Sequence, residues 1–392
     1  MDAYIVAGYR SPVGKAPKGG LRFTRPDDLA ATVIKHLLAQ VPQLDPARVD
    51  DVVVGNAVPE AEQGMQMGRY VALLALPQSV PGVTVNRYCG SGLEAIAIAS
   101  AKIHAGLADC MIAGGTESMS LVPTMGWKTA LNYDIAKNTP DYYLSMGLTA
   151  EQVAKQFNIS RDDQDAFALQ SHQRALAAQQ AGKFDDELVP IPVQETYFDP
   201  ATGKKKTREF SVTADEGPRA DTSAEALAKL KPVFAADGSV TAGNSSQTSD
   251  GAAFVLVVSE KLVKELNLQP IARLMSYASA GVEPRIMGIG PVAAVPKALA
   301  QAGIQQADID IIELNEAFAA QSLAVMQELD LDPEKVNPNG GAIALGHALG
   351  STGARLSVQL FNELRRRDGK YGLVTACVGG GQGVAGVFER LN

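Results

Sequence analysis

The stretch Val83-Thr84-Val85-Asn86-Arg87-Tyr88-Cys89-Gly90-Ser91-Gly92 decides how the chain is read. Val83–Asn86 alternates as a β-strand does, and Leu93-Glu94-Ala95-Ile96-Ala97-Ile98 continues as an Ala- and Ile-rich helical pattern. Cys89 therefore falls at a strand-to-helix corner, with its sulfur near the unpaired N–H groups of a helix start. Those groups favour an anion, and a thiol placed there has a lowered pKa. Gly90 and Gly92 let another molecule come close to the backbone. The corner alone leaves two readings open, a buried free cysteine and a reactive thiolate.

Working outward, short apolar strands alternate with helical patterns at both ends of the chain. The first end carries strands at 3–7, 52–55, 83–86 and 110–113, with helices at 27–39 and 89–105. The second carries strands at 271–279, 309–313 and 373–376, with helices at 292–302, 316–328 and 353–366. This order predicts an α/β fold in which helices cover a largely parallel sheet. The ends also look like copies of one another. Asp50-Asp51-Val52-Val53-Val54-Gly55-Asn56 parallels Asp308-Ile309-Asp310-Ile311-Ile312-Glu313-Leu314-Asn315, and each copy runs on to a Gly-rich corner, at Cys89 and at His347–Gly353. Each then reaches a strand ending in glycines, Gly114-Gly115 and Gly379-Gly380-Gly381. The expected architecture is two α/β/α layered halves related by a pseudo-twofold.

Residues 118–247 interrupt the pattern and read as an inserted loop or lid domain. They hold a polar loop (121–145), a helix opened by Ser160-Arg161-Asp162-Asp163, and a basic hairpin tip at Gly203-Lys204-Lys205-Lys206. The expected division is residues 1–117 with 248–265 for the first half, 118–247 for the insertion and 266–392 for the second half.

The bulk properties exclude several classes. At 392 residues, with a formal charge of −8, the chain has no broad affinity for nucleic acid, so an anionic ligand needs a local basic patch. Three scattered cysteines (Cys89, Cys110, Cys377) make neither a disulfide framework nor a zinc site, and no metal is expected. Met1–Val6 reads as a first strand, not a signal segment, and no apolar run reaches membrane-spanning length. A cytoplasmic protein is expected.

Three Gly-rich segments, distant in sequence, each present a reactive side chain. Besides Cys89 these are His347 in Asn339–Gly350 and Cys377 in Thr375–Gly383. His36, His104 and His172 fall within helical patterns, whereas His347 lies in a glycine loop. A cysteine and a histidine from separate loops make an activated thiolate. A second thiol, Cys377, has the chemistry of a general acid or base. Asn315 reads either as a helix N-cap or as a polar group of the site. The small polar run Thr241–Gly251 suits close contact with a ligand.

Taken together, Cys89, Asn315-Glu316-Ala317-Phe318, Gly346-His347 and Cys377-Val378-Gly379-Gly380-Gly381 resemble the motifs of the thiolase family, and the likeness spans nearly the whole chain. Within it the chain is most similar to the degradative 3-ketoacyl-CoA thiolases of fatty-acid β-oxidation. The resemblance implies an acyltransferase in which Cys89 is acylated and His347 activates it. Cys377 would move the proton at the acetyl-CoA α-carbon. Asn315 would hold a water that forms one oxyanion hole with His347, and the N–H groups of Cys89 and Gly379 would form the other. Ser246 and Arg219 would contact coenzyme A, the co-substrate, with no tightly bound cofactor; Met146 and Phe318 would line the acyl pocket. It also implies a homodimer or tetramer, since strand edges near Cys89 pair across subunits in thiolases, and a possible hydratase/dehydrogenase partner. Two departures stand out. Ala348 replaces the family's proline after the histidine, and Ser145 stands where short-chain acetoacetyl-CoA thiolases carry a histidine. The second departure favours the degradative branch over a biosynthetic acetoacetyl-CoA thiolase. A catalytically idle thiolase-fold scaffold is opposed by the presence of all four reactive positions.

Overall fold

The computed structural model describes residues 2–392. Its strands are β1 (Ala3–Arg10), β2 (Gly14–Lys15), β3 (Asp51–Gly55), β4 (Gly82–Val85), β5 (Cys110–Ser118), β6 (Ile191–Phe198), β7 (Lys205–Val212) and β8 (Ser249–Ser259). They continue as β9 (Ala272–Gly281), β10 (Ile311–Leu314), β11 (Tyr371–Val378) and β12 (Gln382–Arg390). One sheet runs β10-β11-β12-β9-β1-β8-β5-β3-β4, with β2 beside β8, while β6 and β7 form a separate hairpin.

The strand order contains the duplication. Reading outward from the β1–β9 junction, β1-β8-β5-β3 has the same senses as β9-β12-β11-β10: antiparallel, antiparallel, parallel. Even the parallel β3–β4 edge has a remnant in the other half, the parallel bridge between Ile312 and Val336. Within the sheet the halves meet through one Cα pair, Ile5 with Ala272.

The sheet is mixed, and the expectation of a largely parallel one is corrected. Only β3–β4, β3–β5 and β10–β11 are parallel. Helical crossovers connect those strands, and the periodicity of the sequence reveals such crossovers. In each half one further strand runs back beside them, β8 between β1 and β5 and β12 between β9 and β11. β12 follows β11 through Gly379-Gly380-Gly381, and so tight a turn can only make an antiparallel hairpin.

Each half is covered on both faces. In β8, Ala252, Phe254, Leu256 and Val258 pack toward the helix Pro26–Ala39, while Ala253, Val255 and Val257 face the helices Ser91–His104 and Thr352–Arg366. This two-sided burial explains the unbroken apolar run of β8; each large apolar side chain so buried contributes roughly 1.5–3 kcal/mol. In the second half Leu373, Ala385 and Val387 pack toward the helix Gly290–Ala302, and Val374, Ala376 and Val384 toward the same two central helices. The central helices cross at a matched glycine pair. A Cβ on Gly92 would lie 2.7 Å from the Ala354 nitrogen, and one on Gly353 would lie 2.4 Å from the Leu93 nitrogen. No larger residue fits at the crossing.

The segment between β5 and β8 holds the helix Arg161–Gln180, whose start is capped by Ser160 accepting from the Asp163 N–H. Lys204–Lys206 form the exposed tip of the β6–β7 hairpin. The stretch 121–145, read as loop, includes a short helix at Tyr133–Asn138.

Candidate active site

Cys89 sits in a single 3₁₀ turn, Tyr88–Gly90, and the helix proper starts at Ser91. The local sequence holds this turn in place. The Asn86 side chain accepts from the Tyr88 N–H (2.9 Å), and Ser91 Oγ accepts from the Arg87 N–H (2.9 Å) while donating to the Tyr88 carbonyl (2.7 Å). Tyr88 itself has a φ of +42°, a strained value for a bulky residue. The Cys89 side chain packs among Ala57, Val58, Val122 and Leu349, so the turn meets the loop that follows His347.

The second half supplies the other groups. His347 follows Gly346, whose φ of +104° requires glycine, and its N–H donates to the Gln247 carbonyl at 3.0 Å. Its Nδ1 lies 2.7 Å from Thr352 Oγ1 and its Nε2 lies 3.4 Å from Asn315 Nδ2. Asn315 continues β10, its N–H donating to the Thr375 carbonyl at 2.9 Å. It is no helix N-cap: the helix starts at Ala319, three residues later than the residue pattern suggested, with Phe318 in the cap position. Asn315 Oδ1 is buried without a hydrogen-bond partner among the described residues.

Cys377 lies fully buried near the end of β11 and packs with Met287, Ala317, Phe318 and Met146. It faces Cys89, whose charge would raise the Cys377 thiol pKa beyond what burial already does. The backbone N–H groups of Cys89 and Gly379 lie near enough to the Cys89 sulfur to favour its thiolate. Burial outweighs them and, with the nearby Glu117 carboxylate adding to the rise, pushes the thiol up to about 12. The lowered pKa expected from the helix start is thus reversed, because desolvation of a buried anion exceeds the pull of two N–H groups. His347 is shifted the other way, down to about 3, by burial and by the Arg355 charge. The resting pair is a neutral thiol and a neutral imidazole.

Cys89, Cys377 and Gly379 lie together, with Met146 and Phe318 on the Cys377 side. His347 and Asn315 meet each other and join this group through their neighbours, Leu349 packing on Cys89 and Asn315 pairing with Thr375 of the Cys377 strand. Ser246 is half-buried nearby, its N–H donating to the Ala317 carbonyl at 3.0 Å. Arg219 stands apart. Its exposed guanidinium pairs with Asp221 at 2.9 Å on the rim of a cavity of about 300 Å³, which His172, Leu227, Gly243 and Gln247 also line.

Sequence reasoning missed Glu117, Thr352 and Arg355. Glu117 is a buried carboxylate that accepts from the N–H groups of Ala57 and Gly350 (both 2.8 Å) and from Gln63 Nε2 (2.6 Å). Burial pushes its carboxyl up to about 7. Its place beside the repeated glycines was the available signal. Thr352 and Arg355 lie in the first turn of a helix and carry no motif of their own.

An acyltransferase is the class of protein that this fold and its family matches define. Residues 3–261 match the thiolase N-terminal domain and residues 268–390 the thiolase C-terminal domain. The chain belongs to the thiolase family. It is 52% identical over 389 residues to the 3-ketoacyl-CoA thiolase of Bacillus subtilis (strain 168), covering 99% of each chain. It is 47% identical over 405 residues to an acetyl-CoA acetyltransferase of Pseudomonas aeruginosa, covering 100% of each. The crystal structure of human mitochondrial 3-ketoacyl-CoA thiolase superimposes with a TM-score of 0.89 at 41% identity, over 100% of this chain and 99% of that one. Among the described residues no helix is long and apolar enough to cross a membrane, and no group of three His, Cys, Asp or Glu side chains could hold a metal ion.

Proposed function

We propose that the chain is a 3-ketoacyl-CoA thiolase that cleaves its substrate with free coenzyme A, giving acetyl-CoA and a shortened acyl-CoA. The observation that carries this reading is the convergence on one sulfur, Cys89, of a second thiol and two backbone N–H groups, with the His347 loop packed on it through Leu349.

In the proposed sequence His347 Nε2 takes the Cys89 proton as the sulfur attacks the C3 ketone. The C2–C3 bond breaks, leaving an acyl group on Cys89 and an acetyl-CoA enolate. Cys377 gives its proton to the enolate carbon, and acetyl-CoA departs. The Cys377 thiolate then takes the proton of free coenzyme A, whose sulfur attacks the acyl group. Cys89 leaves as thiolate and recovers its proton from His347. Charge on the substrate oxygens is met by the N–H groups of Cys89 and Gly379 at one position, and by His347 with an Asn315-held water at the other. The unpartnered Asn315 Oδ1 supports the latter. Losing one such donor costs about 3–4 kcal/mol of barrier.

The 300 Å³ cavity at Arg219 supports a coenzyme A path that runs past Gln247 and Ser246 to the thiols. In this reading 118–247 form the coenzyme-binding insertion, between a first half of 1–117 with 248–265 and a second half of 266–392. The enzyme works as a cytoplasmic homodimer or tetramer, either alone or beside a hydratase/dehydrogenase partner of β-oxidation, with no tightly bound cofactor. The acetyl-CoA acetyltransferase among its relatives favours one alternative, condensation of two acetyl units. Thiolysis rates measured against acyl chain length, with acetoacetyl-CoA as the shortest substrate, separate the two. Turnover of medium and long chains supports the degradative reading, and activity confined to acetoacetyl-CoA overturns it.

A further inference from the structure

The geometry points to Thr352 as the positioning residue that fixes the tautomer of His347. The inference deepens the proposed function and rests on its assignment of His347 Nε2 as the base.

A proton count at Thr352 carries the argument. Its side chain is fully buried, and its hydroxyl lies 3.0 Å from the Ala348 carbonyl one helical turn back and 2.7 Å from His347 Nδ1. A hydroxyl has one proton. The Ala348 carbonyl, which also accepts from the Ser351 and Thr352 N–H groups, can only accept. With the hydroxyl proton on it both contacts are hydrogen bonds, whereas a proton turned to Nδ1 would set two acceptor oxygens 3.0 Å apart, so the hydroxyl oxygen serves as an acceptor toward the ring. Nδ1 must then carry the imidazole proton, and Nε2 presents its lone pair toward Asn315 Nδ2, 3.4 Å away.

Asn315 cannot make this choice. Its amide offers a donor as built, but its Oδ1 has no partner among the described residues, so a flipped amide would accept from an Nε2–H equally well. The His347–Asn315 pair therefore has two self-consistent arrangements. Only the one with a bare Nε2 can take a proton from a thiol. Thr352, committed to the Ala348 carbonyl, selects it. Serine in place of Thr352 keeps the hydroxyl, whereas valine keeps the shape and removes it.

The test is long-range ¹H–¹⁵N NMR of the full-length enzyme labelled with ¹⁵N-histidine, the His347 signals being assigned with His347→Asn. Wild type and Thr352→Ser should show a pyrrole-type Nδ1 and a pyridine-type Nε2; in Thr352→Val the proton should move to Nε2. kcat should fall roughly 10- to 100-fold in Thr352→Val, as when a partner orienting a functional histidine is lost, with KM changed less than about threefold. Thr352→Ser should restore most of that loss. A pyrrole-type Nε2 in the wild type overturns the inference, whether or not Thr352→Val folds. So does a Thr352→Val enzyme with unchanged tautomer or unchanged kcat. The tautomer is read without substrate, so a failure of the proposed thiolysis leaves this test interpretable.

Discussion

Glu117 and Cys377 hold the same place in the two halves of the sheet. Gly55 pairs with Gly115 across β3–β5, and Leu314 pairs with Thr375 across β10–β11. Asn56 and Asn315 follow those strands, and Glu117 and Cys377 lie two residues beyond the paired positions. The turns before the central helices correspond as well, Tyr88–Gly90 with Leu349–Ser351, so Cys89 matches Gly350. On one side of the pseudo-twofold Cys89 of the first half faces Cys377 of the second. On the other the Gly350 N–H of the second half donates to the Glu117 carboxylate of the first at 2.8 Å. In the proposed mechanism the duplicated layout serves the chemistry once, and once an anchor that ties the His347 loop to the first half.

That anchor is surrounded by N–H donors. In Glu117→Gln one acceptor oxygen becomes an NH₂ facing them, leaving buried donors unpaired. The variant should be destabilised by about 1–3 kcal/mol, read as a lower urea midpoint at unchanged m-value. An unchanged midpoint would show that the carboxylate is not needed as an acceptor.

The depressed His347 pKa ties stability to pH. The folded value is about 3 against an ordinary 6.5, so between those values the unfolded chain holds the extra proton. Stability from this group is full above about pH 6.5 and is lost progressively as pH falls toward 3. From pH 7 to pH 5 the wild type should lose about 2 kcal/mol more than His347→Asn, because raised carboxyl groups elsewhere affect both equally. Equal losses in parallel denaturant titrations would place His347 in a more solvated setting.

Cys377 and Cys89 should separate by half-reaction. Acyl exchange between acetyl-CoA and labelled coenzyme A moves no proton at the α-carbon, so Cys377 stays a thiol throughout and His347 carries the one proton between Cys89 and the coenzyme sulfur. Cys377→Ala should keep exchange within about tenfold of wild type while losing roughly 10²–10⁴-fold in thiolysis, the range for a general acid–base group. Parallel loss of both rates would remove Cys377 from the α-carbon step.

Ala348, where the family carries proline, has a φ of −79°, and the preceding His347 is held extended by its bridge to Thr248. Proline fits both conditions. Ala348→Pro should therefore stabilise by about 0.4–1 kcal/mol through a less flexible unfolded chain, visible as a rise in Tm. A lower Tm would mean that the loop uses the Ala348 N–H.

Much of this was legible in the residues. The Cys89 corner, the glycine loop at His347 and the parallel between the two copies all follow from local pattern, and local pattern survives folding. The returning strands β8 and β12 were harder, since their partners are set by contacts far along the chain. The charge state of Cys89 was misjudged for a related reason. Helix-start N–H groups can be read from order along the chain, whereas the burial that outweighs them comes from Leu349, Val122 and Ala57, which fold onto the turn from distant segments. The Thr352 hydroxyl could be interpreted only once Ala348 and His347 were both seen around it.

The most direct test of the account is the site of acylation. The enzyme is mixed with a 3-ketoacyl-CoA in the absence of free coenzyme A, quenched in acid, digested and examined by peptide mass spectrometry. The account predicts the shortened acyl group on the peptide containing Cys89, released on adding coenzyme A, and no acyl-enzyme in Cys89→Ala. An acyl group held by Cys377 or another residue, or a Cys89→Ala enzyme that still turns over, would contradict it.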